Sequence, residues 1–321
     1  MNTVIIGIHG LRNKPPKELL STWWVDSIKE GFRIIDLPRK PFQFEMAYWA
    51  HHMHPEPQDP SIDDTDSPCY LWEPYVKCTC FGPREPDDFG KKITGSFNQQ
   101  ILRLIAGKSG FMNIDTISDI ILRRMFIELD VYYHKSLEDS SGNRRPAREL
   151  ICNELASLIR KHQGKNICVL AHSMGSIIAY DVLRCAVRDV PVHTFITIGS
   201  PLGFPVIMNK IKLDMGIDKC VETKLPTPDN IRYKWLNFSD LDDSTCLNYN
   251  LRNHYCENSN NVRPFDQIVY NNYTCNGNLN PHKAYGYLMT AEVATALYHF
   301  LALHTANVWE RVGWVFKRPR V

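Results

Sequence analysis

The chain has 321 residues, 44% of them hydrophobic and 22% charged. This excludes a disordered or fibrous chain, and a core of this size can be buried without help from disulfides or metal. Lys plus Arg number 37 and Asp plus Glu 35, a formal net charge of +2, too balanced to advertise binding to nucleic acid or to an acidic membrane surface.

The run VIIGI (4–8) is short, β-branched and continuous, which suits a strand buried on both faces. It runs into a breaker-rich loop, His9 to Pro16. Leu20, Trp23, Trp24, Ser27 and Ile28 then recur at helical spacing, and FQFEMAYWA (42–50) reads as a second strand. Residues from about 51 to 96 are rich in Pro, Asp and His and show no periodicity, the mark of a long functional or disordered loop. Helical patterns follow at 97–107, 115–134 and 145–162, the last with Pro146 in its first turn, where a missing N–H costs nothing.

A strand over 166–171 leads into HSMGS and the helix IIAYDVLRCAV. A strand over 193–199 ends in GSPLG, residues 204–230 read as loop with a short helix, and YKWLNF (233–238) is a strand ending in SDLDDS. After an Asn-rich loop (248–264), FDQIVYNNY (265–273) reads as a last strand or arm, and a long helix over 284–303 follows. Alternating strands and helices with solidly apolar central strands predict an α/β fold: a mainly parallel sheet with helices on both faces. The chain reads as one domain, 1–321, with a large insertion at 51–143.

Ala171-His172-Ser173-Met174-Gly175 stands directly between an apolar strand and a helix, the setting of a nucleophile elbow. Small residues two before and two after the serine let strand and helix approach closely, and the N–H groups that open the helix face the site with partial positive charge. The bland alternative is a Ser-Gly turn that caps a helix. A serine hydroxyl is a weak nucleophile and needs a base held by a third group. A parallel sheet supplies such partners from loops after later strands. Asp240, Asp242 and Asp243 follow YKWLNF, and His282 stands on a Gly/Asn/Pro loop immediately before a helix. The predicted set is therefore Ser173, His282 and an acid after that strand, Asp243 or Asp240. A tetrahedral oxyanion needs two donors. The Met174 N–H and the Leu11 N–H, on the loop after the first strand, are the candidates, with the His9 ring bracing that loop.

These residues, with Gly199-Ser200-Pro201, Trp235-Leu236-Asn237-Phe238-Ser239-Asp240-Leu241-Asp242-Asp243 and Asn280-Pro281-His282, resemble the α/β-hydrolase superfamily on its lipase and serine-esterase side. The order Ser173, Asp243, His282 is the one that superfamily uses. The resemblance implies that the second Asp of Trp-x-Asn-Phe-x-Asp-x-x-Asp, here Asp243, is the triad acid. Two departures stand out. Ala171 replaces the first glycine of G-x-S-x-G, and Ser244-Thr245 follows the acid where Pro-Val is usual. In such hydrolases an insertion over the site commonly acts as a lid. The 51–143 segment is long enough for that, or for a structural excursion packed on the sheet.

Weaker patterns point elsewhere. Cys69, Cys78 and Cys80 with His51, His52 and His54 invite a zinc reading, but their spacing fits no zinc framework. Asp63, Asp64 and Asp66 lack the glycine and glutamate of an EF-hand. No metal or other cofactor is expected. The C-terminal stretch joins Trp309, Trp314 and Phe316 to basic residues, which suits either peripheral membrane contact or a solvated tail. The N-terminus lacks the basic region of a secretory signal, no apolar run is long enough to span a membrane, and cysteines such as Cys168 and Cys185 lie in apolar runs as small buried hydrophobes. The expectation is a cytoplasmic protein with mostly free thiols, with delivery by another route left open. The expected activity is hydrolysis of a carboxylic ester, of a small molecule or a lipid. The alternatives are a thioesterase or amidase with the same triad, and a non-catalytic binding protein on a hydrolase scaffold.

Overall fold

The computed structural model describes residues 2–77, 117–139, 141–217, 223–246, 248–275 and 277–302, with side chains in the helix that starts at Ile117 described from Met125 onward. The predicted helix over 97–107, residues 78–116 of the 51–143 insertion with Cys78 and Cys80, and the C-terminal aromatic-basic tail lie outside these residues.

Six strands form one wholly parallel sheet: β1 (Thr3–Ile8), β2 (Gln43–Ala47), β3 (Asn166–His172), β4 (Val192–Ile198), β5 (Ile231–Ser239) and β6 (Pro264–Ile268), in the spatial order β6-β5-β4-β3-β1-β2. The flanking helices are α1 (Lys17–Ile34), α2 (Ile117–His134), α3 (Ala147–Lys161), α4 (Met174–Asp181), α5 (Pro205–Asp214), α6 (Ala284–Met289) and α7 (Ala291–Ala302).

The central strands are apolar at nearly every position because helices cover both faces. Val4, Ile6, Ile8, Ile167, Val169 and Ala171 pack with α2, α3 and α4 through residues such as Leu129, Leu155 and Ile177. The intervening Ile5, Cys168, Leu170, Ile196 and Ile198 pack on the opposite face with Leu20, Trp24 and Ile28 of α1 and with Leu288 and Leu297 of α6 and α7. Each Val, Ile or Leu among them contributes about 1.5–3 kcal/mol when fully buried. A one-residue slip of any strand would exchange the two sets and misfit both layers.

Several boundaries differ from those predicted. The second strand ends at Ala47, and Ala50–Met53 turn into a short helix. Arg144–Pro146 pair antiparallel with Ser136–Glu138, so α3 starts after Pro146 rather than around it. The predicted terminal helix is two, broken at Thr290, whose extended backbone ends α6. α4 runs into a π-helical turn, Val182–Ala186, and Cys185 on that turn is exposed rather than buried. Among the described residues the seven cysteines are free thiols, and no helix is long and apolar enough to cross a membrane.

The chain leaves β1 toward β2 on one side and returns to β3 on the other. The crevice outside the carboxyl ends of β1 and β3 is therefore the topological switch point, where open α/β sheets bind ligands. Register pairs Ile8 with Ala171, His172 with Ile198, Ile198 with Phe238 and Ser239 with Ile268. The loops that begin at His9, Ser173, Gly199, Asp240 and Val269 thus all leave from this one edge.

Candidate active site

Ser173 occupies the tight bend between β3 and α4 with φ +54° and ψ −129°, a left-handed backbone that costs a non-glycine residue about 1–3 kcal/mol. Its N–H is fixed to the Ile198 carbonyl of the neighbouring strand at 3.1 Å. Gly175 permits the bend: a Cβ there would lie 2.5 Å from the His9 carbonyl oxygen and 2.8 Å from that of Ile8, both backbone atoms. Ala171 is fully buried in the sheet.

His282 Nε2 lies 3.0 Å from Ser173 Oγ, and His282 Nδ1 lies 3.0 and 2.9 Å from the two carboxylate oxygens of Asp243. Asp243 leaves the end of β5, and His282 stands just before α6. The Asp243 side chain has no solvent exposure and that of His282 only 11%. Ser173 is likewise fully buried.

The Asp243 carboxylate is held at both oxygens. Thr245 donates to Oδ1 through its backbone N–H at 2.9 Å and its hydroxyl at 2.7 Å. Tyr287 donates its hydroxyl to Oδ2 at 2.8 Å. Burial works to raise the Asp243 carboxyl, but the adjacent His282 and the hydrogen bonds from His282, Thr245 and Tyr287 outweigh it and hold the group below its ordinary value. Gly199, at φ +56°, passes beside this cluster, and a Cβ there would lie 3.0 Å from Asp243 Oδ2.

Asp240 does not touch the imidazole. Its Oδ2 accepts the Asn271 N–H at 2.5 Å and its Oδ1 the Asp242 N–H at 2.8 Å. Asn271 in turn donates both side-chain hydrogens to the carbonyls of Pro281 and Lys283, at 2.8 and 2.9 Å. Asp240 therefore braces the loop that carries His282.

Three further groups position His282, and the sequence assigned a role to none of them. His172 Nε2–H donates to the His282 carbonyl at 2.8 Å, and burial, reinforced by nearby His282, holds its pKa well below the ordinary value, so it stays neutral. Asn280 Oδ1 accepts the His282 N–H at 3.1 Å. Thr245 Oγ1 lies 2.9 Å from Nδ1. Only Thr245 carried a local signal: two residues after the acid, it closes an Asx-type turn.

Leu11 and Met174, the two nominated oxyanion donors, are buried on the loop after β1 and at the first residue of α4. Neither backbone N–H donates a hydrogen bond among the described residues. His9 ties that loop to the end of β2. Its Nε2 accepts the N–H groups of Trp49 and Ala50 at 3.1 and 3.3 Å, its carbonyl accepts Trp49 Nε1–H at 2.9 Å, and Nδ1–H donates to Gly10 O at 2.8 Å. A cavity of about 110 Å³ opens beside the site, with Gly10, Leu11, Arg12, His172, His282 and Lys283 in its wall.

Of the cysteines and histidines whose spacing fits no zinc framework, Cys69 Sγ sits by the Glu56 carbonyl at 3.8 Å. His51 and His52 converge instead on Glu154, at 3.5 and 3.0 Å from Oε1, and among the described residues this trio has metal-ligand spacing. Asp59 and Asp64 cap turns by accepting the N–H groups of Ser61 and Asp66.

No protein-family model matches the chain, and no curated protein matches it.

Proposed function

We propose that the chain is a serine hydrolase of the α/β-hydrolase type that cleaves carboxylic esters through an acyl-enzyme. The observation that carries this reading is the continuous relay Ser173 Oγ–His282 Nε2, His282 Nδ1–Asp243, with the serine on a strained bend at the switch point of a parallel sheet. Ser173 attacks the ester carbonyl while His282 Nε2 takes its proton. Asp243 keeps the proton on Nδ1 and stabilises the imidazolium that forms. The Leu11 and Met174 N–H groups, which have no acceptor among the described residues, receive the oxyanion. His282 then returns the proton to the leaving alkoxide, and water repeats the sequence to free the acid. Ser173 is fully buried, so the ester reaches it by way of the adjoining cavity.

A panel of p-nitrophenyl esters of graded chain length, run beside matched acyl-thioesters and anilides, tests the reading. Ester turnover that disappears in Ser173→Ala supports it, and the chain-length profile separates small-molecule from lipid esters. Faster turnover of thioesters or anilides would reassign the leaving group. Turnover unaffected by Ser173→Ala, or absent throughout, would overturn the reading in favour of a binding protein on the same scaffold.

A further inference from the structure

Arg12 directly follows Leu11 and takes a backbone conformation few side chains adopt, with φ +74°. The strain is held in place from outside: the buried carboxylate of Glu128, on α2, accepts the Arg12 N–H at 2.8 and 3.1 Å. A glycine would take this conformation without strain. An arginine there implies a use for its head group, since strain of this kind persists where the surroundings impose it and gathers at functional sites.

Arg12 lines the cavity beside His282, its charge acts on Glu73 and Lys283 in the same wall, and among the described residues its guanidinium has no hydrogen-bond or ion-pair partner. The two lysines in the same wall are engaged. Lys14 Nζ donates to the carbonyls of Leu11, Arg12 and Asn13 and so fastens the loop. Lys283 Nζ pairs with Glu73 at 2.6 Å, and Asn280 Nδ2 donates to the same carboxylate at 2.8 Å. One carboxylate therefore already sits in this cavity, bonded to the residues on either side of the Pro281-His282 pair. Burial works to raise the Glu73 carboxyl, yet Lys283, Asn280 and Arg12 hold it below the ordinary range. The wall thus favours a carboxylate, and it carries three basic side chains, Arg12, Lys14 and Lys283, against the single carboxylate of Glu73.

We propose that Arg12 is a specificity-determining residue that binds a second, free carboxylate on the ester substrate, so that the preferred substrate is a half-ester of a dicarboxylic acid. This rests on the hydrolytic reading of Ser173 and His282. The planar guanidinium fork matches a carboxylate in a two-point contact. Glu73 remains on Lys283 and Asn280, and its negative charge opposes an incoming carboxylate.

Calorimetric titration of full-length Ser173→Ala protein tests this without turnover. Ethyl hydrogen glutarate and ethyl pentanoate have the same chain length and differ in the terminal carboxylate. The half-ester should bind at least about tenfold more tightly, as charge-assisted hydrogen bonds require. Adding Arg12→Gly should close that gap while raising the unfolding temperature, because glycine relieves the strain. Adding Glu73→Gln should widen the gap. Equal binding of the two esters, or a gap that survives in Arg12→Gly, overturns the proposal. If that happens while the parent enzyme still hydrolyses ethyl pentanoate in a Ser173-dependent way, only the carboxylate subsite is lost. If hydrolysis does not depend on Ser173, the hydrolase reading falls, whatever the titration shows.

Discussion

Two acids stand three residues apart, and only one faces the imidazole, so the paired substitutions Asp243→Asn and Asp240→Asn separate a reacting-centre role from a bracing role. In Asp243→Asn the amide keeps the shape of the carboxylate but not its charge. The imidazolium that forms on His282 then loses a fully buried anion that lay 2.9 Å from Nδ1. Two unit charges about 4 Å apart interact by about 4 kcal/mol at an effective dielectric of about 20. At about 1.4 kcal/mol per decade of rate, that is a loss of roughly 10³-fold. The amide is also poorly accommodated. Thr245 and Tyr287 both donate toward the carboxylate, so either orientation of the Asn side chain turns its NH₂ toward a donor. Asp240→Asn leaves the His282–Asp243 contact in place and loosens the Asn271 clamp on the loop instead. Its effect should fall mainly on thermal stability, with kcat reduced less than about tenfold. Burst and steady-state hydrolysis of p-nitrophenyl acetate, with a melting curve for each variant, measures both. A larger kcat loss in Asp240→Asn than in Asp243→Asn, at equal folded fraction, would refute the reasoning.

Gly175→Ala would drive a methyl group into the His9 carbonyl, at 2.5 Å. Because backbone cannot yield as a side chain can, it should destabilise the fold by at least about 1–3 kcal/mol, read from the urea midpoint. Arg148→Met removes the nearer guanidinium from Asp181, whose 3% exposed side chain pairs with Arg148 at 2.8 Å and with Arg184 at 3.5 Å and accepts the Tyr132 hydroxyl at 2.8 Å. Because Arg184 still faces the buried charge, the loss should fall below that of a fully stranded one, about 3–5 kcal/mol, at about 1–3 kcal/mol in chemical denaturation, and a loss below about 1 kcal/mol would contradict the assigned network. Burial pushes the Lys14 amine down from 10.5 to about 7. Between those values the unfolded chain holds a proton that the folded chain does not, so this group makes stability rise with pH across the window, and below it the cost of the buried ammonium is fully present. Stability curves of the parent and Lys14→Met over that range should converge as pH rises, and parallel curves would show that the amine titrates normally.

The parts of the fold legible in the sequence were those with a local physical cause. Strands β1, β3 and β4 could be read because burial on both faces leaves an unbroken apolar run, and the Ser173 bend because strand, small residues and helix follow one another directly. Boundaries set by tertiary contacts were not legible. Nothing near Trp49 announces that its N–H and that of Ala50 would serve the His9 ring and turn the chain into a helix. The break at Thr290 carries neither glycine nor proline. In the site, Ser173, Asp243 and His282 were nominated one by one from their positions after strands. The groups that orient them, His172, Asn280 and Tyr287, belong to contacts between loops distant in sequence. Tyr287 is the clearest case: it follows His282 by five residues on a helix, yet its hydroxyl accepts the Asp240 N–H at 3.0 Å and donates to Asp243 at 2.8 Å, joining both acids. The Arg12 conformation was equally hidden, because its cause is a carboxylate 116 residues away.

The central claim is that the Ser173 hydroxyl is a nucleophile activated by His282. Incubation with a fluorophosphonate followed by peptide mass spectrometry tests it most directly. The account predicts one phosphonyl adduct, on the peptide that contains Ser173, abolished in Ser173→Ala and strongly slowed in His282→Ala. A folded parent protein that takes up no adduct, or one that carries the adduct on another residue, would contradict it.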